Sequence, residues 1–181
     1  MHNDFIIVGP PSDPANLKNC NNLNEAFQAI ANTESIFVSR GDDSGTHKKE
    51  LELWKKANIT PGGNWYQESG AGMGQTLNIA SEKEGYTLTD RATYLANKGN
   101  LNLEILLEGE KDLLNIYHVM QVNPEKFPDL SVPINAEGAK AFVEFMISPD
   151  TQKIIGEFGK DKFGESLFTP DAGKSMDELG K

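Results

Sequence analysis

An α/β fold, a mixed and mostly parallel sheet flanked by helices, is what the sequence predicts, on three observations. Short apolar runs alternate with amphipathic helical patterns along most of the chain, the order that stacks helices on a sheet. The first run, Asp4-Phe5-Ile6-Ile7-Val8, is continuous rather than alternating, as in a strand buried on both faces. Polar, mostly glycine-rich junctions stand where strands give way to helices, at Arg40–Thr46, Ser69–Gly74 and Thr87–Asp90. In such sheets ligands sit beyond those strand ends.

Taken in order, the first strand stops at Gly9-Pro10-Pro11. Asn22-Leu23-Asn24-Glu25 resembles a capping box, and Leu23, Ala26, Phe27 and Ile30 then recur at helical spacing to about Ala31. A strand follows at Ile36–Ser39, then a polar loop, then a helix over Thr46–Ala57 with Leu51, Trp54 and Ala57 on its apolar face. Thr60-Pro61-Gly62-Gly63-Asn64 breaks the pattern before a short strand at Trp65–Glu68. The next helix runs to about Lys83, carrying Thr76, Leu77, Ile79 and Ala80. Gly85–Thr89 reads as a strand, and Asp90 caps a helix that ends near Gly99. Leu101–Leu107 and Ile116–Val122 are strand candidates, separated from the last helices by Pro124, Pro128 and Pro133. One helix starts at an Asn135 cap and another at Ser148-Pro149, the favoured N-cap and N1 pair. Asp171–Lys181 reads as a polar tail.

Composition narrows the function. With 17 basic and 27 acidic residues the net charge is −10, and no basic stripe is interleaved with aromatics, so nucleic acid is not the partner. No apolar run approaches the roughly 18–20 residues of a membrane span. Met1-His2-Asn3-Asp4 leads straight into a strand with no secretory signal, which fits a cytosolic protein or a piece of a longer chain. The only cysteine, Cys20, has no internal partner, and His2, His47 and His118 show no metal-ligand spacing.

The chemistry concentrates in Ser39-Arg40-Gly41-Asp42-Asp43-Ser44-Gly45-Thr46-His47. The first N–H groups of a helix lack internal partners, and the helix dipole puts partial positive charge there. Gly41, Ser44, Gly45 and Thr46 let an anion approach that backbone, and Arg40 adds a forked cation. Plainer readings exist: Arg40 pairing with Asp42, Asp43 or Asp90, His47 and Arg91 as ordinary helix residues, and Ser69–Gly74 as a tight crossing. The Arg-Gly-Asp tripeptide is short enough to arise by chance. Neither a Gly-x-Ser-x-Gly elbow nor a phosphate loop ending in Gly-Lys-Ser/Thr is present.

Together, Phe37–His47, Trp54, Glu68–Gly74 and Tyr86–Tyr94 resemble the tungstate-binding proteins of ABC uptake transporters. Asn3–Pro10 is similar to that family's first inter-domain crossing, and Phe142–Pro149 to its C-terminal region. The resemblance implies a periplasmic-binding-protein fold of two α/β lobes holding an oxyanion. Residues 1–122 would form the second lobe with the first crossing. Residues 123–181 would form the second crossing and the returning part of the first lobe, whose N-terminal portion this chain does not carry. The implied ligand is tungstate, with molybdate second, contacted by Arg40, Ser44, Gly45, Thr46, Met73 and Gly74. No catalytic set, metal or cofactor is expected.

The implied partner is a membrane permease, and the implied location is periplasmic, or extracellular with a lipid anchor. An exposed inter-lobe surface would allow pairing between copies. Three alternatives stand beside this reading. One is a phosphate-binding protein, whose site needs a buried acceptor such as Asp42, Asp43 or Asp90. Another is a ligand-sensing domain of a transcriptional regulator. The third is a small enzyme using His47 on a phosphorylated substrate.

Overall fold

The computed structural model describes residues 1–180. They divide into two compact units, Asp4–Leu114 with Gly180, and Met1–Asn3 with Asn115–Leu179.

In the larger unit the strands are β1 (His2–Gly9, from Asp4 onward), β2 (Phe37–Ser39), β3 (Tyr66–Glu68), β4 (Thr87–Asp90) and β5 (Glu104–Leu107). β1 pairs antiparallel with both β4 and β5, Ile7 lying opposite Leu88 and Leu107. β2 pairs parallel with β3, Val38 opposite Gln67. A parallel bridge from Phe37 to Tyr86 ties β2 to the segment entering β4. There the Val38 N–H donates to the Tyr86 carbonyl, and the Tyr86 N–H to the Ile36 carbonyl, each at 2.8 Å. The spatial order is therefore β3-β2-β4-β1-β5, with β1 alone running against the others. The sheet is mixed, as the alternation of elements predicts, but it is not mostly parallel: β1 pairs antiparallel on both sides.

β1 sits in the middle, and its side chains divide between two cores. Phe5 and Ile7 join Phe37, Leu88, Phe27, Ile30, Leu53 and Trp54 on one face. Ile6 and Val8 join Val38, Met73, Leu77, Ala80 and Tyr94 on the other. The first face is covered by α1 (Leu23–Asn32) and α2 (Gly45–Lys56), the second by α3 (Met73–Glu82) and α4 (Arg91–Asn97). Trp54 meets Phe27 and Phe37 edge-on, with ring centroids 4.4 and 5.1 Å apart, the geometry the ring quadrupoles favour. The caps lie where the sequence puts them. Asn22 accepts the Glu25 N–H, and the Glu25 carboxylate takes the Asn21 N–H.

α2 departs from expectation in one respect. Its inward face is Glu50, Leu53, Trp54 and Ala57, while Leu51 faces out. Glu50 supplies the reason: its carboxylate is buried but accepts hydrogen bonds from Ser39, Trp54 and Tyr66. A buried charge is tolerated when donors replace its water.

The smaller unit holds β6 (Leu114–Ile116, from Asn115 onward), α5 (Ala136–Ile147), α6 (Pro149–Glu157) and the single turn α7 (Lys160–Phe163). The predicted strand Ile116–Val122 stops at its first residue. The Tyr117 N–H still donates to the Met1 carbonyl at 2.9 Å, but residues 118–122 pair with no strand among the described residues. Apolar, β-branched sequence makes a strand only against a neighbour. Residues 171–180 are not a free tail. His2 pairs with Thr169 in an antiparallel bridge, the Asp171 carboxylate lies 2.7 Å from His2 Nδ1, and Leu179 is buried. Lys181 lies outside the described residues. An apolar hollow of about 400 Å³ lies within this unit, among Ile116, Phe142, Met146, Ile155 and Leu179. Among the described residues no helix is long and apolar enough to cross a membrane.

Candidate functional site

The C-terminal ends of β2 and β3 deliver two helix N-termini side by side. Ser39 is opposite Glu68 at the end of the parallel pair. From there the Arg40–Ser44 loop leads into α2, and Ser69–Gly72 into α3. The two loops are tied together. The Ser69 N–H donates to the Ser39 carbonyl at 2.9 Å, and the Ser69 hydroxyl to the Arg40 carbonyl at 3.2 Å. Gly41 is required at this crossing. Its φ is +59°, and a Cβ there would stand 2.6 Å from the Glu68 Cβ. The six sequence-predicted site residues, Arg40, Ser44, Gly45, Thr46, Met73 and Gly74, thus fall at two loop-to-helix junctions of one unit, whose loops are tied at their bases.

At α2 the Ser44 side chain caps the helix, accepting the His47 N–H at 3.3 Å. Gly45 and Thr46 occupy the first two helical positions, whose N–H groups have no partner within the helix. At α3 the N-cap is Gly72, which offers no side chain, so the N–H groups of Met73 and Gly74 are also left without a side-chain cap. The Met73 side chain itself is core, packed with Ile6, Val8 and Leu77. Cβ atoms built at Gly45, Gly70 and Gly72 would meet nothing within 4 Å. Both N-termini therefore open onto free space.

Arg40 pairs with Asp42 through one guanidinium end. Ser44 then holds Asp42 in its charged form: hydrogen bonds from its side chain first, then its backbone N–H, and from Arg40, keep that carboxyl below the usual range. The Ser44 N–H lies 3.3 Å from Asp42 Oδ1. His47 Nδ1 accepts the Asp43 N–H at 3.0 Å. Two buried side-chain atoms lack a hydrogen-bond partner among the described residues, Arg40 Nε and His47 Nε2. Each such orphan costs on the order of 1–3 kcal/mol.

The third predicted junction is closed. The Asp90 carboxylate caps α4 itself, accepting the Thr93 N–H at 2.8 Å and the Thr93 hydroxyl at 2.7 Å. A carboxylate already occupies the place an anion would take. Arg91 is structural, gripping Asp4 at 2.9 and 2.6 Å and also pairing with Glu108.

Sequence reasoning missed Glu50, which sits beneath the loop. The Ser39 hydroxyl accepts the Gly41 N–H at 3.2 Å and donates to Glu50 at 2.7 Å. Trp54 Nε1 and the Tyr66 hydroxyl donate to the other carboxylate oxygen at 3.1 and 2.8 Å. Burial pushes the Glu50 carboxyl up, opposed by the hydrogen bonds from Ser39, Tyr66 and Trp54. The only signal in the sequence is its phase: Glu50, Leu53, Trp54 and Ala57 follow the i, i+3, i+4, i+7 spacing of one helix face. What the arrangement offers chemically is a cluster of N–H donors with a cation beside it, a setting for an anion.

A family model described as the PBP superfamily domain matches residues 1–150. A tungstate-binding protein of Peptoclostridium acidaminophilum is 50% identical over 164 residues, covering 90% of this chain and 56% of that protein. The tungstate-binding protein of Desulfovibrio alaskensis G20 has a solved structure, with a TM-score of 0.80 and 45% identity over 95% of this chain and 68% of that one. A tungstate ABC transporter structure from Geobacter sulfurreducens gives 0.72 and 45%, over 87% and 66%. The chain spans about half the length of the curated relatives it matches.

Proposed function

The chain belongs to the periplasmic-binding-protein (PBP) superfamily, and on that premise we propose that it binds a tetrahedral oxyanion, tungstate ahead of molybdate, for an ABC uptake transporter. The observation that carries this is the pair of tied loops at the ends of β2 and β3. They bring the uncapped N–H groups of Met73 and Gly74 and those of Gly45 and Thr46 to one rim of the sheet, with Arg40 beside them. Backbone dipoles held in this way replace the water around a doubly charged ion without having to reorganise. Tungstate and molybdate carry the same charge, so preference between them would rest on cavity size and donor placement.

Supporting the choice over phosphate, none of the three candidate proton acceptors is buried. Asp42 is paired with Arg40, Asp90 caps α4, and Asp43 projects into solvent toward Lys48. Relatives named as tungstate-binding proteins support a solute carrier rather than an enzyme. In this reading residues 4–114 are one lobe, and residues 115–179 with Met1–Asn3 belong to the other. The partner is a membrane permease, the location periplasmic, with lipid anchoring as one form of retention. Copies of the chain would pair through the exposed inter-lobe surface.

Isothermal titration of the chain with tungstate, molybdate, sulfate and phosphate tests the proposal. Tungstate is expected to bind most tightly and phosphate at least about tenfold more weakly, about 1.4 kcal/mol. Binding of phosphate alone would overturn it.

A further inference from the structure

Two orphaned nitrogens in one loop carry an inference about its ligand contacts. Arg40 Nε and His47 Nε2 are the two buried side-chain atoms without a partner among the described residues, and both belong to the Arg40–His47 segment. Buried N–H groups are almost always paired. Orphans confined to one stretch, at the mouth of a helix whose first N–H groups are also free, mark where an acceptor is to arrive. Both are donors. Arg40 commits the end of its guanidinium to Asp42, leaving Nε–H. His47 has its tautomer set by the chain, because Nδ1 accepts the Asp43 N–H at 3.0 Å; in the neutral ring the hydrogen is then on Nε2. Asp43 reaches that position through a left-handed backbone, φ +58°, which aspartate tolerates better than most residues.

We infer that His47 is a direct contact of the bound oxyanion, donating its Nε2–H as a neutral imidazole beside the Nε–H of Arg40. The inference rests on the anion-binding reading and sharpens it. Two side-chain donors, each without an acceptor of its own among the described residues, suit an ion whose oxygens carry lone pairs only. His47 thus adds a side-chain donor, fixed by its tautomer, to the backbone N–H groups.

The test compares wild type, His47→Asn and His47→Gln by isothermal titration with sodium tungstate. Asparagine keeps an acceptor near the place of Nδ1 but loses the distal donor, whereas glutamine carries an N–H out to the position of Nε2. His47→Asn is expected to weaken binding about ten- to a hundredfold, and His47→Gln by no more than about threefold. A second measurement needs no variant. In wild type labelled with ¹⁵N-histidine, the Nε2–H proton signal is expected to move downfield on saturation with tungstate, while Nδ1 stays unprotonated. Wild type that binds tungstate while its Nε2–H signal stays fixed overturns the inference, as does equal affinity in His47→Asn. Wild type that binds none of tungstate, molybdate, sulfate and phosphate overturns the anion-binding reading itself, and the inference falls with it.

Discussion

Residues 4–114 and residues 115–179 are built from similar sequence to different ends. In the first, apolar side chains close into two clusters, one on each face of a central strand. In the second, α5 buries none of its residues, and Ile155 and Leu179 are the buried apolar side chains among those described. Phe142, Phe145, Ile154 and Phe158 are all more than half exposed. An isolated helix of 12 residues is marginal in water, so α5 has the sequence of a covered helix without the cover. The two loops proposed to hold the anion belong to the unit that supplies its own core.

Substitutions can break or sharpen this contrast. The largest effect is expected from Phe27→Ala, which empties a fully buried site against Trp54 and should cost about 3–5 kcal/mol. Phe142→Ala, on the exposed face, should fall within about 0.5 kcal/mol. Chemical denaturation of the two variants checks this, and similar losses would erase the difference between the units. Next comes Glu50→Ala, which strands the donors of Ser39, Trp54 and Tyr66. It should cost about 3 kcal/mol and weaken anion binding, because the Gly41 turn hangs from Ser39. Gly41→Ala forces a Cβ against Glu68 at positive φ and should cost about 1–3 kcal/mol, again with weaker binding.

The smallest effect is a pH dependence. Glu50 in the folded chain holds its proton above the ordinary value of 4.5. Its contribution to stability is therefore complete below that pH and is lost as the pH rises through the raised value. Glu50→Gln cannot titrate. The melting temperature of wild type relative to Glu50→Gln should fall as pH rises from 4 toward neutrality. A difference that stays flat would mean that Glu50 is not desolvated.

Much of this fold was legible because its signals are local. Asn22, Asp90, Asn135 and Ser148 each cap the helix that the sequence assigns to them. The unbroken apolar run of β1 also foretold its central place. What stayed hidden depends on partners distant in sequence. The Ile116–Val122 run has strand chemistry but no neighbouring strand for its second half. Asp90 reads as part of an anion junction until its carboxylate is seen filling that junction. Glu50 looks like a solvent-facing helix residue, because nothing in the sequence shows that Ser39 and Tyr66 converge on it. Leu51 was placed on the wrong side of α2 for the same reason.

The most direct test follows the backbone amides of the ¹⁵N-labelled chain during a tungstate titration. The account predicts that the largest shifts belong to Gly45, Thr46, Met73 and Gly74, from both loops together and saturating at one concentration. Shifts confined to one loop, or lying in residues 115–179, would contradict it.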